Sequence, residues 1–137
     1  IDHDVAYDAI CEVGIADKVN MLDKGMDTHI NSAGRGFSES FVNKLILARC
    51  IAKKPKMLIL NDFFHNFNRT DKSKLIKFLV SKSNDWTLLA VSNDPVIMKA
   101  CERTIFFNEG VIIADGPYDE IKNNQIIKDT TLSPELC

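Results

Sequence analysis

Two short, wholly apolar runs constrain this chain most: Met57-Leu58-Ile59-Leu60 and the Leu88-Leu89-Ala90-Val91 run that follows Thr87. An apolar run without alternation, bounded by turn residues, reads as a strand buried on both faces, as in a parallel sheet. Between the runs, Leu75, Ile76, Leu79 and Val80 share one helical face over about 71–83, after a polar and aromatic loop at 61–70. Strand, helix, strand predicts a βαβ unit with parallel strands and a right-handed crossover. In an open α/β sheet, ligands gather at the carboxyl ends of parallel strands. Those ends are Asn61-Asp62 and Ser92-Asn93, so chemistry is expected there.

The residues before the first strand read as helical. Ala6, Ala9, Ile10 and Val13 form one face over 2–14, with Asp2 or Asp4 as cap and Gly14 as the left-handed stop. A short helix is expected over Ala16–Leu22, then a loop over 23–37 with Gly25, Gly34 and Gly36. The strongest helix runs from about Glu39 to Lys53, capped by Ser38 and ended by Pro55. Phe41, Leu45, Ala48 and Ala52 line one side, and Val42, Ile46 and Leu47 widen it, so the helix is expected to be largely buried. Lys44, Arg49, Lys53, Lys54 and Lys56 read as a solvated face and its exit.

After the second strand, a short helix is expected at about 95–101. Arg103–Phe107 and Val111–Asp115, joined by Asn108-Glu109-Gly110, read as an antiparallel hairpin. Pro117 opens a last helix to about Asn123, and residues 124–137 read as a loose tail. Phe63, Phe64 and Phe67 are unusual in a loop. They either pack beneath the sheet or face another domain.

Composition closes off several classes. With 137 residues, 45% apolar and 26% charged, the chain is neither a disordered tail nor a disulfide miniprotein. No apolar run approaches the roughly 18 residues of a membrane span. A net charge of −2 argues against a nucleic-acid module. Cys11, Cys50, Cys101 and Cys137 form no CxxC pair, and Cys50 and Cys101 are expected as buried free thiols of a reducing compartment. His3, His29 and His65 have no metal-ligand spacing. There is no initiator Met and no signal peptide, so the chain is expected to be a piece of something longer.

Five segments in order carry a resemblance: LDKGMDTHINSAGRGFS (22–38), FSESF through LILARC (37–50), MLILND (57–62), TLLAVSN (87–93) and RTIFFNEGVIIADGPYDEI (103–121). Together they resemble the distal half of the ATP-binding domain of ABC transporters, exporter branch: the segment before the signature, the signature helix, Walker B, the switch strand and the closing hairpin. The implied fold class is α/β, an incomplete RecA-like P-loop NTPase core with the ABC helical subdomain. The implied division is a helical subdomain over 1–55, the distal core over 56–123 and a tail over 124–137. The P-loop pattern G-x-x-x-x-G-K-[ST] does not occur in these residues, and it is expected before Ile1, together with the glutamine loop.

The resemblance also implies roles. Ser38 keeps the signature serine that touches nucleotide across a dimer, while Glu39 and Ser40 replace its glycines and Glu39 would repel a phosphate. Asn61 stands at the Mg²⁺ position normally held by Asp, and brings an oxygen without a charge. Asp62 stands for the glutamate that orients water, Asn93 for the switch histidine, and Asn68 for an expected Asp. The implied partners are a second ATP-binding domain and membrane-spanning domains, on the cytoplasmic side of a membrane. ATP and Mg²⁺ belong to the full-length domain, with no tight binding expected of this chain alone. Two functions follow. One is an exporter ATPase part with degenerate catalytic positions. The other is a non-catalytic dimerisation or regulatory domain of the same ancestry. A DNA-repair or chromosome-structure ATPase is disfavoured by the GMDTHI segment and the acidic balance.

Overall fold

The computed structural model describes residues 1–128 apart from 32, 33, 35 and 126. The first part is helical: α1 (His3–Glu12), α2 (Ala16–Asn20), a 3-10 turn (Gly25–Asp27) and α3 (Glu39–Ile51). Gly14 follows α1 at φ +70°, the left-handed turn that a glycine accepts without strain. Asp2 occupies the N-cap position of α1, but its side chain makes no capping bond. The cap of α3 forms as expected: Ser38 Oγ accepts from the Phe41 N–H at 3.3 Å.

The buried side of α3 differs from the expected one. It consists of Phe41, Lys44, Leu47, Ala48 and Ile51, while Ile46 is 54% exposed. α1 packs on one flank of α3, Leu45 packs partly against the core, and Ile46 faces outward. Lys44, expected in solvent, is only 7% exposed. Its ammonium lies 3.3 Å from the Asp71 carboxylate and 6.0 Å from the Phe67 ring centre, which meets the requirement that a buried charge be paired. Cys50 also departs from expectation. It sits on the outer side of α3 and is exposed, whereas Cys101 is half-buried and its thiol pKa is pushed up by burial.

The βαβ unit forms as predicted. β1 (Met57–Asn61) pairs in parallel with β2 (Thr87–Val91), with Met57 opposite Thr87 and Asn61 opposite Val91. The connecting α4 (Arg69–Leu79) starts two residues earlier than expected. Asn68 caps it, accepting from the Asp71 N–H at 2.8 Å and donating its amide to Asp71 Oδ2 at 3.0 Å. Leu75, Ile76 and Leu79 of α4 join Leu58, Leu60, Leu47 and Ile51 in the main core.

The strands are not buried on both faces. Leu58 and Leu60 point into the core, but Met57 and Ile59 are 54% and 61% exposed, and Leu89 and Val91 of β2 are also exposed. Alternate residues of a strand point to opposite faces. Among the described residues, helices cover only one of them, so the other apolar face is bare.

Downstream, α5 (Pro95–Ala100) leads to β3 (Thr104–Asn108) and β4 (Val111–Gly116), an antiparallel hairpin, and then α6 (Tyr118–Ile121). Its turn places Glu109 at φ +48° and Gly110 at φ +78°, the two positive angles of a type I′ turn. Met98, Phe106 and Ile127 form a small second cluster, with Ile127 fully buried. Residues 129–137 of the expected tail, Cys137 included, lie outside the described residues, as do residues 32, 33 and 35 of the loop before α3. Among the described residues, no helix is long and apolar enough to cross a membrane.

Candidate functional site

The carboxyl ends of β1 and β2 open on a cleft of about 370 Å³, lined by Asn61, Asp62, Phe64, His65, Lys72, Val91, Ser92, Asn93 and Asp94. This is the end of the sheet where the parallel topology places a ligand. Three of the four residues singled out for function, Asn61, Asp62 and Asn93, converge here and are exposed. Ser38, at the start of α3, does not line the cleft. Its hydroxyl is engaged by the Phe41 N–H and lies 3.3 Å from the Ser40 hydroxyl.

Backbone geometry sets Asp62. Its N–H donates to the Val91 carbonyl at 2.9 Å, which extends the parallel ladder by one bond. The chain then turns at Asp62 with φ +45°, a left-handed conformation that Asp tolerates better than most residues. The loop beyond is anchored by aromatic packing. Phe64 and Phe67 are buried, and Phe63 packs on both at ring-centre distances of 5.2 and 5.3 Å. These rings therefore pack inward within this chain.

The second wall is a hydrogen-bonded turn. The Asp94 N–H donates to Ser92 Oγ at 3.1 Å, and Asp94 Oδ1 accepts from the Val96 N–H at 2.9 Å, capping α5. Asp94 Oδ2 accepts from the Lys72 ammonium of α4 at 2.5 Å. This ion pair ties α4 to the loop carrying Asn93. The sequence reading gave no role to Lys72, Asp94 or His65 in the cleft. Lys72 and Asp94 are 22 residues apart with no motif linking them. The only sequence signal for His65 was its place in the loop after a strand end.

The donor set is poor in the carboxylates that a directly bound divalent cation favours. Asn61, Asn93 and Ser92 offer neutral amides and a hydroxyl, and His65 an imidazole. The Asp94 carboxylate is occupied, leaving Asp62 as the one carboxylate without a salt bridge. Hard cations favour several carboxylates, and no group of three or more His, Cys, Asp or Glu among the described residues could hold a metal. The residues of this cleft do not fit a directly bound Mg²⁺.

No family model matches the chain. Among curated proteins it is similar to the mating factor M secretion protein mam1 of Schizosaccharomyces pombe, 26% identical over 125 residues, which is 90% of this chain and 9% of that protein. It is similar to the alpha-factor-transporting ATPase of Saccharomyces cerevisiae, 28% identical over 87% of this chain and 9% of that protein. A putative ABC transporter ATP-binding protein of Streptomyces avermitilis is 30% identical over 85% of this chain and 40% of its own length. The homologues of this chain are ABC transporter ATP-binding and exporter proteins. The chain spans about a tenth of the two fungal proteins and less than half of the bacterial one. Its fold is also that of an ABC exporter segment. A solved bacterial Atm1-family ABC exporter with ATP bound superposes on 99% of this chain and 24% of its own at a TM-score of 0.85, with 14% identity.

Proposed function

We propose that this chain is the distal part of the ATP-binding domain of an ABC exporter, with degenerate catalytic positions. In this reading the domain couples ATP binding and hydrolysis to transport from the cytoplasmic side of a membrane. It pairs with a second ATP-binding domain and with membrane-spanning domains. The observation that carries the reading is the convergence of Asn61, Asp62 and Asn93 on one cleft at the ends of parallel strands. Those residues stand at the Walker B and switch positions of the family whose members this chain resembles along most of its length. The bare face of β1 and β2 supports the same reading, since an apolar sheet face of this kind is normally covered by more of its own domain.

The residues themselves argue that catalysis is impaired. Asn61 removes the charge that would hold the water shell of Mg²⁺, Asp62 is one methylene shorter than Glu, and Asn93 cannot act as a cation. Glu39 in the first turn of α3 opposes a polyphosphate there. Asn61, Asn93 and Glu39 also favour a second reading, a non-catalytic dimerisation or regulatory domain of ABC ancestry.

Calorimetry tests the proposal. The chain alone is expected to bind ATP with Mg²⁺ more weakly than roughly 10 μM, about −7 kcal/mol. Joined to the P-loop-bearing part of an ABC domain, it should bind far more tightly. Tight binding by the chain alone, or none by the joined protein, would overturn the reading.

A further inference from the structure

The cleft contains four ionisable side chains: Asp62 at the end of β1, His65 in the following loop, Lys72 near the start of α4 and Asp94 at the cap of α5. Two of them neutralise each other through the Lys72–Asp94 ion pair, and Asp94 is further engaged by the Val96 N–H. Neither the Asp62 carboxylate nor the His65 imidazole has a hydrogen bond or ion pair among the described residues, and both are exposed to the cleft. An incoming anion therefore meets one uncompensated negative charge, that of Asp62. His65 is the ionisable cleft side chain that can donate an N–H to an anion without giving up a partner.

The position of His65 is fixed although its ring is exposed. Phe64 on one side and Phe67 two residues beyond are both buried in the core. The short stretch between them, His65-Asn66, is thus held at the rim of the cleft. Asn61 and Asn93 face the same space from the two strand ends and supply amide groups. We infer that His65 is a phosphate-contacting residue of this cleft, donating a ring N–H to an oxygen of a polyphosphate that also meets Asn61 and Asn93. The inference rests on the reading of the cleft as a nucleotide-phosphate site, and it supplies that site with an imidazole from the loop after β1.

The test is proton–nitrogen NMR of the full chain titrated with inorganic tripolyphosphate at pH 6. His3 in α1 and His29 before α3 do not line the cleft and serve as internal controls. The expected result is a saturable shift of the His65 ring resonances, with the His3 and His29 rings unmoved. His65→Gln should weaken the fitted affinity about fivefold, as for loss of one charge-assisted hydrogen bond at an exposed site, while His29→Gln leaves it unchanged. If the Asn61 and Asn93 amides shift while the His65 ring does not, His65 is not a contact, yet the cleft remains a phosphate site. If nothing in the cleft shifts up to millimolar ligand, both the inference and the phosphate reading of the cleft fail. Equal shifts of all three histidine rings would reveal non-specific ion binding and overturn the assignment.

Discussion

Lys44 of α3 and Asp71 of α4 form an ion pair at 3.3 Å that joins the helical part of the chain to the βαβ unit. Asp71 Oδ2 also accepts from the Asn68 amide, so one carboxylate holds both the cap of α4 and the only charged side chain buried in the described structure. Burial acts to raise the Asp71 pKa, but the Lys44 hydrogen bond and charge, together with the Asn68 amide, outweigh it and hold it below the ordinary 3.8. Lys44→Met keeps most of the packing of the stem and should cost about 1–2 kcal/mol, because it leaves Asp71 without its cation. Lys44→Met with Asp71→Leu should recover part of that loss, as read in a double-mutant cycle by urea unfolding.

The same pair sets an acid limit. A carboxylate whose folded pKa is depressed adds stability that is fully present above its unfolded value and is lost as pH falls through the folded one. The window therefore lies below about pH 4. Asp71→Asn should flatten the fall in unfolding free energy across that window and leave the slope at neutral pH unchanged. An unchanged acid slope in the variant would show that the pair contributes nothing measurable.

Asp94 has two jobs, which substitutions can separate. Asp94→Ala removes both the α5 cap and the Lys72 partner, and should destabilise by about 1–2 kcal/mol. Asp94→Asn keeps a capping oxygen and should cost less. Equal losses for the two, measured by thermal unfolding, would mean that the cap contributes little and the ion pair dominates.

Ile59 and Leu89 lie opposite each other on the bare face of the parallel pair. Exposed apolar surface of this kind drives association, so light scattering should find the chain as a dimer or larger. Ile59→Lys with Leu89→Lys should return a monomer with an unchanged far-ultraviolet spectrum. A clean monomer of the parent chain at high concentration would contradict this.

The proposed degeneracy can be reversed by substitution. In a hybrid with a P-loop-bearing half, Asn61→Asp with Asp62→Glu should raise steady-state phosphate release more than Asn93→His alone, by about 10²–10³. Recovery by Asn93→His alone would move the lesion away from the end of β1. A hybrid already as fast as the fully restored one would make Asn61, Asp62 and Asn93 a working variant of the site.

Sequence by itself determined the elements and the end of the sheet where the candidate site lies. The cap at Ser38, the stop at Gly14 and the hairpin turn at Asn108-Glu109-Gly110 act over a few residues, so local chemistry encodes them, whereas the cap at Asn68 was not read from the sequence. The parallel pairing of the two apolar runs followed from the helix between them, and parallel strands brought Asn61, Asp62 and Asn93 together. Only tertiary structure decided which side of each element is covered. The apolar residues of α3 span more surface than its neighbours bury, so periodicity could not distinguish Leu47, inside, from Ile46, outside. Lys44 read as a surface cation because its partner sits 27 positions away on another helix. The pairing of Lys72 with Asp94, which leaves His65 and Asp62 as the ionisable groups free in the cleft, depends on how α4 and α5 are placed over the strand ends. Contacts between groups distant in sequence carry no local pattern, and it is they that set the charge the cleft presents.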